Sequence, residues 1–314
     1  MRKIASIDIG SNTVRLLILE AAADHPLKVI DSHRAITRLG EAMDTEKRLL
    51  EERMRATLDV LSRFHAICQA HGNVPIHAVA TSAVREAANR EEFLRRAREE
   101  AGVAVEVISW EEEARLTLDG VFWKLPRQDA DTLVFDIGGG STEFIFARRG
   151  EVQGACGTLL GTVRLTERFI SRHPVDRQEY LALQNHLREE IARVREKLPQ
   201  RTPGVLIGTA GTVTTLAAIA RDIFPYDPDR VHGVTLSRQA IQAIQDDLLV
   251  RSLGERLAIR ALEPGREDLI IAGTLLTLEI MDAFRQDTLT ISEYSMREGI
   301  LLRALAGSAP KPEP

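Results

Sequence analysis

One short pattern governs what this chain can become, because it occurs twice. Ile4-Ala5-Ser6-Ile7 runs into Asp8-Ile9-Gly10-Ser11-Asn12-Thr13. Leu133-Val134-Phe135 runs into Asp136-Ile137-Gly138-Gly139-Gly140-Ser141-Thr142, and Asp136 stands 128 positions after Asp8. Each turn then returns to an apolar run, Val14-Arg15-Leu16-Leu17-Ile18-Leu19 in one case and Glu143-Phe144-Ile145-Phe146-Ala147 in the other. Both read as strand, glycine turn, strand. A solenoid repeats every ~20–50 residues, so a repeat of this size predicts a duplicated lobe instead. The length of 314 residues agrees, since a domain takes about 100–200.

The remaining periodicities predict alternating strands and helices. Leu50, Met54, Leu58, Leu61, His65 and Cys68 mark a long amphipathic helix. Ile76–Ala80 reads as a strand, and Thr81 and Ser82 are expected to cap one helix carrying Val84, Arg85 and Phe93. Val103–Ile108 alternates as a strand. Ser109 then opens a helix through Glu111-Glu112-Glu113-Ala114-Arg115-Leu116, with a capping-box pattern at Ser109 and Glu112. Leu125–Asp129 is a connector. After the second turn, helices are predicted near 162–170, 177–198, 237–249, 266–285 and 295–306, with strands at Gly204–Gly208 and Thr288–Ile291. The proline-rich 309–314 is predicted to be a disordered tail. The fold class is α/β with mixed sheets.

Glycine after a buried strand lets backbone N–H groups approach a phosphate closely. Gly10, Ser11 and Asn12, and equally Gly138, Gly139, Gly140 and Ser141, are therefore candidate phosphate binders. Asp8 and Asp136 would repel that anion, so their expected job is to hold a divalent cation. A third turn, Gly208-Thr209-Ala210-Gly211-Thr212, predicts either a phosphate pocket at a helix start or close strand–helix packing. One carboxylate of Glu111, Glu112 and Glu113 could take a proton from water, and residue type does not choose among them. Arg85 is a surface cation or a phosphate clamp.

Composition narrows the partners. A net charge of −5 argues against a nucleic-acid backbone as partner. Two distant cysteines and no His-x-x-x-His exclude a disulfide framework and a zinc site, and no Gly-Lys-Ser/Thr follows a glycine turn, so a Walker loop is absent. Neither a leader peptide nor an apolar run of ~18 residues is visible, which predicts a cytoplasmic protein without a membrane partner.

The ordered set of motifs resembles the exopolyphosphatase/guanosine pentaphosphate phosphatase family of the actin-like, sugar kinase and heat-shock ATPase superfamily. It comprises Ile7–Thr13, Ala80–Arg85, Glu112–Leu116, Asp136–Glu143, Gly161–Phe169, Gly208–Thr212 and Arg297–Gly299. The resemblance implies two ribonuclease H-like lobes with the active site in the cleft between them. It also implies that lobe I spans 1–124 and regains a last helix at about 295–308, and that lobe II spans 125–294. By position, Glu113 falls on the catalytic base, Arg85 on the arginine facing substrate phosphate, and Asp136, Gly138 and Glu143 on the loop holding metal and phosphate. Asp8, Ser11 and Asn12 fall on the first loop, so Asp8, Asp136 and Glu143 are the expected metal set. Gly208, Thr209, Gly211 and Thr212 complete the expected phosphate contacts. Family habit implies Mg²⁺, with Mn²⁺ as a substitute, a homodimer, and release of orthophosphate from polyphosphate or guanosine pentaphosphate.

The chain departs from the family pattern in places. Trp110 stands where a small residue is usual, Thr13 replaces a serine, and the chain is expected to be a short form lacking a C-terminal helical region. Arg164, Arg168, Arg172 and Arg266 are candidates for a basic path, each with an ordinary surface role as the alternative. Competing function classes are a nucleotide-dependent phosphotransferase and a non-catalytic polyphosphate or alarmone sensor. Glu113 argues against the sensor, which needs no base.

Overall fold

The computed structural model describes residues 2–22, 25–127 and 129–306, and the expected tail at 309–314 lies outside them. The chain forms two compact units: Met1–Trp123 with Ser295–Pro314, and Lys124–Tyr294. In chain order the first unit holds β1 (Arg2–Ile9), β2 (Thr13–Ala22), β3 (His25–Ile36), α1 (Met43–Glu46), α2 (Glu51–Ala70), β4 (Ile76–Ala80), α3 (Ser82–Glu86), α4 (Arg90–Glu99), β5 (Val105–Val107) and α5 (Trp110–Val121). The second holds β6 (Asp131–Ile137), β7 (Thr142–Arg148), β8 (Glu151–Thr158), α6 (Thr162–Phe169), α7 (Arg177–Lys197), β9 (Val205–Thr209), α8 (Gly211–Ala220), α9 (Pro228–Val231), β10 (Thr235–Ser237), α10 (Arg238–Val250), α11 (Leu253–Leu257), α12 (Ile270–Ala283) and β11 (Thr288–Ser292). The chain then re-enters the first unit as α13 (Met296–Ala306).

The two sheets are the same object built twice. The first has strand order β3-β2-β1-β4-β5, and the second, β10-β11-β9-β6-β7-β8, repeats it as β8-β7-β6-β9-β11 with β10 added at one edge. In both, the strand before the glycine turn pairs antiparallel with the strand after it. Each also pairs parallel with the strand that returns after the helices, β4 or β9. The α/β class with mixed sheets is therefore observed directly.

Each unit buries its own apolar core. Ile7, Ile9, Leu16, Phe64 and Phe93 sit in the first, and Phe135, Phe144, Phe146, Leu275 and Leu276 in the second. No helix among the described residues is long and apolar enough to cross a membrane.

Three local expectations are corrected. The single helix expected after Ala80 is two, α3 and α4, because Asn89 interrupts it. Its side chain accepts from Leu49 N (2.9 Å) and donates to Leu49 O (3.1 Å), which ties that break to the start of α2. Thr81 occupies the N-cap position of α3 without a side-chain cap bond, and Ser82 donates instead to Glu86. At α5, Ser109 Oγ accepts from Glu112 N as expected, but the Glu112 carboxylate pairs with Arg303.

Candidate active site

The three glutamates at the start of α5 have separate fates, decided by helical geometry. Successive residues point about 100° apart around a helix. Glu111 is exposed, and its own backbone amide with Ser109 holds its carboxyl below the ordinary range. Glu112 bonds Arg303, which also donates to Glu106 Oε2 at 3.0 Å. Glu113 is 6% exposed, and its Oε2 accepts from Arg85 Nη1 at 2.8 Å. A carboxylate is not buried alone, and this bond gives the Glu113 carboxyl a charged partner inside.

α5 is held in place by close backbone packing. A Cβ on Gly120 would overlap the Ser295 carbonyl, and one on Gly299 would overlap Leu116 O. Two glycines thus let α5 and α13 touch backbone to backbone. The start of α13 is secured in turn by Glu298, 1% exposed, which accepts from Ser295 N (2.8 Å) and from Arg297 Nε (2.8 Å). The Arg297-Glu298-Gly299 motif therefore serves the helix that positions Glu113.

Arg85 lies in the last turn of α3. Its Nη1 spends both hydrogens, one on Glu113 and one on Ile108 O at 3.0 Å. Nε and Nη2 are buried without a hydrogen-bond partner among the described residues. The guanidinium carbon lies 3.9 Å from the Trp110 ring centroid. Arg85 also lines an open pocket of about 360 Å³ beside Arg90, Val107 and Ser109.

The two repeated turns close identically. Gly10 N donates to Thr13 O (3.0 Å) and Gly138 N to Ser141 O (2.9 Å). A Cβ would come 3.3 Å from Thr13 O in the first turn and 3.2 Å from Ser141 O in the second. The Gly10 and Gly138 amides are thus engaged in closing their turns. Ser11, Asn12 and Ser141 are buried at the turns. Asn12 Oδ1 has no hydrogen-bond partner among the described residues.

Comparison with known proteins assigns the chain. The sequence profile of the Ppx/GppA phosphatase family matches residues 17–307. The chain belongs to the Ppx/GppA phosphatase family. It is 32% identical to exopolyphosphatase 2 of Mycobacterium tuberculosis over 98% of this chain and 99% of that one. Among solved structures, the Aquifex aeolicus Ppx/GppA family member superposes with a TM-score of 0.83 at 34% identity, over 99% of both chains. An exopolyphosphatase from Cytophaga hutchinsonii gives 0.91 at 29% identity, over 98% of this chain and 99% of that one.

Within this Ppx/GppA chain, the expected metal residues separate into a pair and a single. Asp136 and Glu143 are direct partners across β6 and β7, so their side chains leave the same face of the sheet. Glu143 is 3% exposed. Asp8 is instead the cross-strand partner of Arg15. Among the described residues no group of three His, Cys, Asp or Glu is arranged to hold a metal ion. Asp136 and Glu143 thus form an acidic pair within the second unit, and Asp8 belongs to the first.

The third turn is closely packed. A Cβ on Gly208 would crowd Phe135 (2.9 Å) and Val213 (3.0 Å), and Thr209 Oγ1 donates to Tyr294 O at 3.1 Å. Gly211 lies directly against the Arg266 guanidinium, and Thr212 against Gly273. Of the four candidate path arginines, Arg164 (3%) and Arg266 (8%) are buried, whereas Arg168 and Arg172 are exposed. Gly161, singled out from sequence only as the start of the Gly161–Phe169 motif, is where a Cβ would overlap the backbone of Gly139 and Gly140. Thr162 N and Val163 N donate to the carbonyls of Gly138 and Gly139, so α6 braces the second turn.

Proposed function

We propose that this protein hydrolyses the terminal phosphoanhydride of inorganic polyphosphate and releases orthophosphate. The observation that carries the reading is the buried Glu113–Arg85 pair, which joins an ionised acceptor to a guanidinium with donors to spare. Its exopolyphosphatase relatives support the same substrate.

In this reading water attacks the terminal phosphorus, the bridging P–O bond breaks, and the shortened chain leaves with that bond's electrons. Glu113 takes the proton of the attacking water. Arg85 meets the phosphoryl oxygens with Nε and Nη2. Arg85 is then shared between the phosphate and the Glu113 carboxylate, which keeps the base beside the attacking water. Backbone amides beyond the turn-closing ones, at Ser11, Asn12, Gly139 and Gly140, are assigned to phosphate oxygens.

We assign Mg²⁺, or Mn²⁺ in its place, to Asp136 and Glu143. The two carboxylates are cross-strand partners, that of Glu143 is almost fully buried, and a shared divalent cation offsets the repulsion between them. Mg²⁺ suits a site of one or two carboxylates completed by water and substrate phosphate. When bound, it neutralises charge on the anhydride. The two free cysteines, Cys68 and Cys156, fit a cytoplasmic location.

The test is phosphate release from short and long polyphosphate, guanosine pentaphosphate and ATP, with and without Mg²⁺. Polyphosphate is expected to be cleaved only with the metal. Glu113→Gln should lower turnover by about 10²–10⁴-fold with binding kept. Wild-type turnover in that variant would remove Glu113 as the base, and transfer to an added acceptor rather than water would make the protein a kinase.

A further inference from the structure

Arg85 is gripped by a single short stretch of chain. Ile108 supplies a carbonyl, Trp110 a ring face and Glu113 a carboxylate. Trp110 and Glu113 are three residues apart on α5, which places their side chains on one helix face. A planar guanidinium has two faces and a rim of five N–H groups. The carboxylate and the carbonyl consume the two donors on Nη1. The indole takes a face and no donor, because an aromatic face attracts the cation without accepting from its rim. The remaining three donors, on Nε and Nη2, form one side of the fork and have no hydrogen-bond partner among the described residues while shielded from water.

Buried donors without acceptors are costly, and a fork of this shape matches two oxygens of one tetrahedral anion. The indole contributes in two ways. It fixes the plane of the guanidinium, so the fork has one direction. It also keeps water from solvating the cation, so an arriving anion meets a stronger charge.

We propose that Trp110 is a positioning residue for phosphoryl recognition, acting through Arg85 by orienting its Nε/Nη2 fork toward the terminal phosphoryl group. The proposal rests on the phosphohydrolase reading above. A phosphate gripped by two donors of a fixed plane binds with defined orientation, whereas a lysine or an unstacked arginine offers a point charge. Trp110 therefore acts chiefly on KM.

The test is a double-mutant cycle read by kinetics and by fluorescence. Trp110→Ala should raise KM for tripolyphosphate about ten-fold with kcat changed less than about three-fold, a loss of about 1.4 kcal/mol. Trp110→Phe should keep both constants within about three-fold of wild type, since a ring face is retained. In an Arg85→Lys background Trp110→Ala should have no further effect, because residues acting as one unit are non-additive. Additive losses, or an unchanged or lower KM in Trp110→Ala, would overturn the proposal.

Fluorescence keeps the question answerable if Trp110→Ala does not fold. In a Trp123→Phe protein Trp110 is the sole indole, and titration with tripolyphosphate should give a saturable emission change that Arg85→Lys abolishes. No change, or a change that survives Arg85→Lys, counts against the proposal. The two readings fail separately. A protein that hydrolyses no anhydride but shows the Arg85-dependent signal retains the Trp110 role and loses the phosphohydrolase reading. One that hydrolyses polyphosphate with additive variants does the reverse.

Discussion

The turn at Asp8 and the turn at Asp136 share a backbone and differ in chemistry. Both close with a glycine N–H donating to a carbonyl three residues on, and both follow the central strand of the same five-strand order. Opposite the aspartate, however, the first unit places Arg15 and the second Glu143. Asp8 thus faces an arginine across its strand pair, while Asp136 faces a second carboxylate, the pair to which the proposed metal is assigned. The bracing also differs. Gly40 backs the first turn against Ser11, its N–H donating to Ser11 O at 2.7 Å, and Gly161 backs the second against Gly139 and Gly140. Duplication has kept the scaffold and reassigned the charges.

The comparison can be broken most forcefully at the braces. In Gly161→Ala the new Cβ would overlap backbone, which cannot move aside cheaply. A loss of about 3 kcal/mol is expected, lowering Tm by roughly 6–12 °C. Gly40→Ala meets the Ser11 Cβ at 2.7 Å and should cost only about 1–2 kcal/mol. Equal losses in thermal unfolding would mean that the turns are braced alike.

The charge difference is tested next. Glu143→Gln should raise the Mg²⁺ concentration for half-maximal phosphate release about ten-fold, the ~1.4 kcal/mol of one carboxylate. Arg15→Gln should leave the metal requirement within about three-fold. A larger metal shift in the Arg15 variant would put the cation in the first unit.

The smallest effect is an acid response, to which His77 in the first unit and His173 and His186 in the second contribute, all three held below 6.5 chiefly by burial. In the second, burial and then the Arg256 charge hold His173 below its ordinary value of 6.5, and Arg256 Nη1 lies 2.8 Å from His173 Nδ1. A histidine kept neutral by the fold contributes stability above that value and loses it as pH falls below 6.5. In the first unit, burial opposes the Asp31 charge, but hydrogen bonds from His33 and His71 outweigh it and hold the carboxyl below 3.8. Its contribution persists until pH falls below that value. Tm should therefore decline between about pH 6.5 and 5, less steeply in His173→Gln. An identical slope in the variant would remove His173 as a source.

What could be read from residues alone follows the same division. The glycine turns, their strands and the alternation of elements were visible because each leaves a local mark. β3 and β8 were not foreseen, and they are equivalent edge strands of the two sheets. Neither buries a described side chain fully, so no apolar alternation betrays it. Glu113 could be placed only by resemblance, since its burial depends on Arg85, 28 residues away. The stacking of Trp110 on Arg85 and the Asn89–Leu49 bonds are likewise tertiary. Gly161 carried a visible glycine but no sign of what lay opposite.

The return of α13 sets an order on biosynthesis. A ribosome delivers β1 to α5 first, yet the helix that packs on α5 at Gly120 and Leu116 emerges last, after all of the second unit. The second unit, continuous from Lys124 to Tyr294, is complete before the first can close. Until then the α13-facing side of α5 stays uncovered, including Leu116, which packs with Met296 and Ile300 in the finished protein. The helix bearing Glu113 is thus among the last parts to settle. A nascent chain can carry every residue through Tyr294 while α5 still waits for its packed partner.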